Sequence, residues 1–280
     1  MSETNTLQEK LIRIGKKHFR DEMLPMLQKR GTGSDGLVVA ISGSVSYGYC
    51  DAFSDIDLTV YLRLESKEGD SIRTNTLMDF QAERIRVSYR FASYQEIERF
   101  LVDRDQIVWE TVNPYTLFDL KHVIPVHDCD GILRRLQREY DFYPDDEFVQ
   151  IVRGLWITIN GSGLYQASQS LERQDHQTAN IFFYRAVEAL VRMIYILNHE
   201  YFPHTKWLFA GLSGLDNTFQ WYNHAPEMSE EKSLDARIGA FLKVTENVKE
   251  QIHKDEILNA ECIEKFGSNF KFPFRVFKIF

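Results

Sequence analysis

The sequence predicts an α+β fold, in which a small mixed β-sheet with flanking helices over residues 1–130 precedes an all-α helical bundle over 131–280. Short apolar runs rich in β-branched residues, the signature of strands, fall before residue 130. Beyond it, strand signals almost vanish and helical periodicity takes over. One strand–turn–helix–strand stretch, residues 41–60, also joins a Gly-Ser turn to a strand carrying Asp-x-Asp. A length of 280 residues suits two domains on the prior of roughly 100–200 residues each.

Residues 6–29 read as a helix, with Leu7, Leu11, Ile14, Phe19, Met23 and Leu27 at near-helical intervals. The glycine-rich 31–36 ends it as a turn. Residues 37–41, wholly apolar, form the first strand and 55–64 the second. The charged stretch 65–70 is a loop, 72–80 reads as helical, and 83–91 is a third strand of alternating character. On that strand Ile85, Val87 and Tyr89 face the core, and Arg84, Arg86, Ser88 and Arg90 face the cleft. Residues 94–102 read as a helix capped by Ser93, with Glu96 three positions on. A short strand over 123–128 runs into a turn at Cys129, Asp130 and Gly131. The domain boundary is placed near Asp130, with 143–146 as a second candidate. Helices then follow over 132–140, 147–158, 164–173, 177–198, 233–251 and 255–265.

The chemistry concentrates between the first two strands. Alternate residues of a strand point the same way, with a rise of roughly 3.3 Å per residue, so Asp55 and Asp57 share a face about 6–7 Å apart. Two carboxylates that close resist ionising together. A hard cation between them relieves that cost, and Mg²⁺ takes such ligands while sharing its other positions with phosphate oxygens. Ile56, Leu58 and Val60 face the core from the same strand. Gly43 lets the backbone bend and approach a ligand, and Ser44 is placed to cap the short helix that follows. A helix start suits an anionic phosphate. A phosphate cradle beside a carboxylate pair implies phosphoryl or nucleotidyl transfer.

Gly43-Ser44, a short helix, then Ser54-Asp55-Ile56-Asp57-Leu58 resembles the signature of the polymerase-β-like nucleotidyltransferase superfamily. The two-domain layout is similar to that of the bacterial kanamycin and lincosamide nucleotidyltransferases, whose helical domain helps form the acceptor site. Gly43, Ser44, Asp55 and Asp57 match the pattern residue for residue. The resemblance implies Mg²⁺ on Asp55 and Asp57, and a nucleoside triphosphate, by preference ATP, with its β,γ-phosphates on Gly43 and Ser44. It implies transfer of a nucleoside monophosphate to a hydroxyl of a small acceptor, aminoglycoside- or lincosamide-like, with release of pyrophosphate. Two other activities stay open: adenylylation of a protein partner, and nucleotide binding with weak turnover.

The family usually supplies a third carboxylate, as metal ligand or general base. Arg86 or Ser88 stands where the third strand would offer it, leaving Glu83, Glu110 and Glu188 as candidates. The row of arginines either clamps phosphates or forms a solvated face paired with nearby acids. Residues 197–208 join two helices; there Lys206 reaches a triphosphate and Trp207 stacks on a ring, or the aromatics plug the end of the bundle.

Composition narrows the partners. With 44% hydrophobic and 26% charged residues the chain is of globular type, and a net charge of -8 argues against broad nucleic-acid binding. The three cysteines, Cys50, Cys129 and Cys262, lie far apart without zinc or disulfide spacing, and the eight histidines form no metal pattern. Ser44 has no nucleophile elbow around it. The first residues lack the features of a signal peptide and no apolar run is long enough to span a membrane, so a cytoplasmic location without membrane partners is expected.

Overall fold

The structure is a computed structural model that describes residues 3–30, 37–63, 77–101, 107 and 112–264. The expected turn over 31–36, the charged loop over 65–70 and Glu110 lie outside the described residues. The chain is α+β, and it divides into two units between Asp141 and Phe142. That division leaves the helix expected at 132–140 with the sheet, and falls next to the second candidate boundary rather than at Asp130.

The first unit opens with α1 (Glu3–His18), a π-helical turn (Phe19–Met23) and α2 (Leu24–Lys29). The wide turn coincides with Pro25, which cannot donate a backbone hydrogen bond one turn back. Then come β1 (Leu37–Ser42), α3 (Gly43–Tyr47), β2 (Ile56–Leu62), β3 (Leu77–Ala82), β4 (Ile85–Ser93) and α4 (Gln95–Glu98). The unit closes with α5 (Pro114–His122), β5 (Ile124–His127) and α6 (Ile132–Glu139).

The strands make one mixed sheet in the order β3-β4-β2-β1-β5. β2 runs antiparallel to β1 and parallel to β4, and β3 pairs antiparallel with β4 as a hairpin. One face is the core: Val39 and Ile41 of β1, Ile56, Leu58 and Val60 of β2, and Val87, Tyr89 and Phe91 of β4 pack with Leu11, Ile14, Phe19, Met23 and Leu27. The other face is buried at Val38, Ala40, Thr59 and Ala92. At its Asp57 end, Ser42, Asp57 and Ser88 are only partly buried.

Residues 77–80 are strand, not helix as their spacing suggests. Met78, Phe80 and Ala82 pack on the core while Leu77, Asp79 and Gln81 are exposed, so pairing with β4 overrides local preference. Helix α5 was not expected from periodicity; Asn113 caps it by accepting from the Tyr115 N–H at 3.0 Å, and Pro114 occupies its first position.

The second unit is helical: α7 (Asp145–Ile157), α8 (Gln166–Glu172), α9 (His176–Leu197), α10 (Trp221–His224), α11 (Leu234–Lys254) and α12 (Glu256–Leu258). Phe183, Ala186, Leu190, Val191 and Ile194 of α9 are fully buried, as are Phe241, Val244 and Val248 of α11. Asp175 and Ser233 cap these two helices through the N–H groups of Thr178 and Ala236. The stretch between α7 and α8 is not a break but a π-helical segment, Thr158–Tyr165. Its Gly163 lies so near α9 that an added Cβ would sit 2.6 Å from that of Ala186.

Candidate functional site

Four polar side chains line up across the sheet. In register, Ser42 of β1 faces Asp57 of β2, Asp57 faces Ser88 of β4, and Ser88 faces Asp79 of β3. All four belong to the face opposite the core. The Ser88 hydroxyl donates to Oδ1 of Asp79 at 2.7 Å. Asp79 thus stands two strands from Asp57, roughly 9–10 Å of backbone. The spacing over 72–80 reads as helical, which hides Asp79 from a sequence reading. The alternation of Met78, Phe80 and Ala82 with polar or exposed neighbours was the available signal.

Gly43 has φ +69°, a left-handed conformation, and a Cβ added to it would lie 2.8 Å from Oδ2 of Asp57. The bare backbone at this position is therefore what leaves room for the carboxylate. Ser44 does not cap α3. The helix starts one residue earlier, with Ser42 before it making no side-chain cap, and Ser44 is buried inside the first turn. Its hydroxyl donates to that of Ser54 at 3.4 Å. Ser54 also accepts from the Asp51 N–H at 2.9 Å, and Asp51 Oδ1 accepts from the Phe53 N–H at 2.9 Å. These bonds tie the loop before β2 to α3 and set the approach to Asp55. At the far end of α3, the Tyr47 hydroxyl donates to Asp119 of α5. Burial, then the Asp119 carboxylate, push the Tyr47 phenol far above its ordinary range, so it stays a donor.

Asp55 immediately precedes β2 rather than lying within it. Its Oδ2 accepts from Nε of Arg86 at 3.0 Å and from Nη2 of the same guanidinium. The Asp55 side chain is 28% exposed and that of Arg86 56%. Arg86, Ser88 and Arg90 all lie on the face opposite the core, as expected, whereas Arg84 sits in the hairpin turn. Among the described residues no three His, Cys, Asp or Glu side chains group closely enough to hold a metal ion together. The residues that would hold a divalent ion here are Asp55 and Asp57. The residues present fit such an ion in one respect: position 43 is a glycine, and a Cβ there would lie 2.8 Å from Oδ2 of Asp57, so no side chain at position 43 crowds that carboxylate.

Of the carboxylates weighed from the sequence, Glu83 is in the β3–β4 turn with φ 51° rather than on a strand. Glu188, on α9, accepts from Arg192 at 2.5 Å and from the Thr205 hydroxyl at 2.8 Å. Lys206 lies over the ring of its neighbour Trp207, Nζ to centroid 5.1 Å, on a single turn of 3-10 helix. Tyr201 and Phe202 are buried, and the Tyr201 ring meets Phe142 and Tyr143, so part of this loop packs into its own unit. A cavity of about 710 Å³ lies on the core side of the sheet, lined by His18, Met23, Met26 and Phe80 among others, and contains none of Gly43, Ser44, Asp55 or Asp57.

Residues 109–208 match a family model described as a domain of unknown function, DUF4037. None of the curated proteins compared matches the chain. Among solved structures it is similar to a nucleotidyltransferase-like protein from Exiguobacterium sibiricum 255-15, with 15% identity over 89% of this chain and 79% of that one, at a TM-score of 0.48. No helix among the described residues is long and apolar enough to cross a membrane.

Proposed function

We propose that this chain is a nucleotidyltransferase that moves a nucleoside monophosphate from a nucleoside triphosphate, by preference ATP, to a hydroxyl of a small acceptor. The observation that carries this is the contact between left-handed Gly43 and the Asp57 carboxylate, beside Asp55. Asp55 and Asp57 would hold Mg²⁺. When bound, that ion supplies charge neutralisation on the attacking and leaving oxygens of an in-line displacement. The polypeptide's part is positioning. Gly43 and Ser44 would offer the turn to the β,γ-phosphates, with the loop of Asp51 and Ser54 braced against Ser44. Asp79, exposed and bonded to Ser88, is assigned to receive the proton of the acceptor hydroxyl. An aminoglycoside- or lincosamide-like molecule remains the acceptor class proposed, with adenylylation of a protein as the alternative.

The pairing of Asp57 with Ser88, where a further acid was expected, favours a second reading as a nucleotide-binding module with weak turnover. Incubation with labelled ATP and Mg²⁺, over hydroxylated small molecules and over lysate proteins, separates the three. Label on a small molecule supports the transferase, and label on a protein supports the adenylylating form. Tight ATP binding without label supports the module. Transfer that survives Asp57→Asn undiminished overturns the assignment of the carboxylate pair.

A further inference from the structure

The Arg86–Asp55 pair is placed where the proposed metal would have to bind. Both guanidinium contacts fall on one oxygen, Oδ2, rather than on the two oxygens that a fork-to-fork pair would use. Arg86 thus neutralises Asp55 directly, from the sheet face that also carries Asp57, Ser88 and Asp79. A divalent ion ligated by Asp55 needs the carboxylate oxygens at short distance and in strict geometry, which a guanidinium on Oδ2 obstructs. Arg86 is held by β4, on the same sheet face as Asp57 and Ser88. Once displaced it stays beside the ion, and the strongest new partner there is a phosphate group, which its planar fork suits.

We propose that Arg86 is a positioning residue with two alternating partners, Asp55 in the ion-free protein and a phosphate of the nucleotide once a divalent ion sits on Asp55. This rests on the nucleotidyltransferase reading above. Its consequence is coupling. Arg86 weakens binding of the ion alone and strengthens binding of the nucleotide to the ion-loaded protein, so each ligand promotes the other, reciprocally.

The test uses the full chain with Mn²⁺, whose free concentration is read by electron paramagnetic resonance, and a non-hydrolysable ATP analogue titrated calorimetrically. A part-exposed ion pair sets the scale, so Arg86→Gln should bind Mn²⁺ alone about two- to fivefold more tightly. The same variant should bind the Mn²⁺-loaded analogue about tenfold more weakly, as for a lost charged hydrogen bond. Arg86→Lys, which keeps the charge but not the fork, should fall between. Should Arg86→Gln leave Mn²⁺ affinity unchanged or lower it, while Asp57→Asn abolishes binding, the exchange is refuted and the carboxylate site stands. If Asp57→Asn leaves Mn²⁺ binding intact, the site itself fails, and the role of Arg86 with it.

Discussion

The Oδ2 atom of Asp57 lies 2.8 Å from where a Cβ on Gly43 would be, and Gly43 has φ +69°. Gly43→Ala therefore meets two costs. An L-residue in the left-handed region loses roughly 1–2 kcal/mol. The atom in the way is the end of a short side chain, so relief of the clash moves the carboxylate itself. The expected outcome is a stability loss of about 1–2 kcal/mol in urea unfolding, with Mn²⁺ affinity falling well beyond that share. Unchanged Mn²⁺ affinity would detach Asp57 from the ion.

His18 links the helical layer to the sheet and gives the fold a pH dependence. It is buried, with Nδ1 2.9 Å from the Tyr89 hydroxyl and its ring against Phe80. Burial lowers its pKa below the ordinary 6.5, with Glu22 opposing. The unfolded chain then takes up the proton first as pH falls. The contribution to stability is full above pH 6.5 and erodes below it. Denaturant unfolding between pH 7 and 5 should show a steeper decline for the native chain than for His18→Gln. Equal slopes would mean that His18 titrates alike in both states.

What could be read from the chain followed from local pattern. The apolar run of β1 and the alternation of Ile56, Leu58 and Val60 on β2 are local, and both strands form over those residues. Features set by pairing were hidden. The place of Asp79 opposite Ser88 follows from the pairing of β3 with β4, and that hairpin lacks the usual turn residues. The Arg86–Asp55 pair depends on the parallel register of β2 and β4, which no spacing within either strand encodes. Ser44 lies in the first turn and Ser42 at the cap position two residues before it, an offset within the ordinary uncertainty of a helix end read from sequence. The continuity of α7 into α8, over residues that the periodicity leaves between two helices, goes with the close packing of Gly163 against Ala186 of α9.

That packing makes Gly163 a sensitive position. A methyl group there would meet Ala186 Cβ at 2.6 Å and the Thr158 carbonyl oxygen at 2.8 Å. Both neighbours are parts of helices rather than free ends of flexible side chains. Gly163→Ala should cost about 1–3 kcal/mol, the range for overpacking, although alanine is the better helix former. Thermal melts of the two forms give the comparison. A rise in midpoint would show that the helices can separate without loss.

The β3–β4 turn makes the converse case, a strained pair that can be relieved. Glu83 and Arg84 connect Ala82 to Ile85 with φ values of 51° and 69°. Positive φ at both central residues is the requirement of the tight hairpin turn that Asn-Gly satisfies best. Each L-residue there gives up roughly 1–2 kcal/mol, while glycine returns about 0.4–1 kcal/mol of that to the unfolded chain. The double change Glu83→Asn with Arg84→Gly should therefore stabilise the protein by about 1 kcal/mol, read as a higher urea midpoint at constant slope. Arg84→Pro provides the opposite arm, because proline fixes φ near −65°. It should destabilise by more than the first change gains. Should the double change lower the midpoint and the proline raise it, the left-handed turn assigned to these two residues is wrong, and the register that brings Asp79 to Ser88 falls with it.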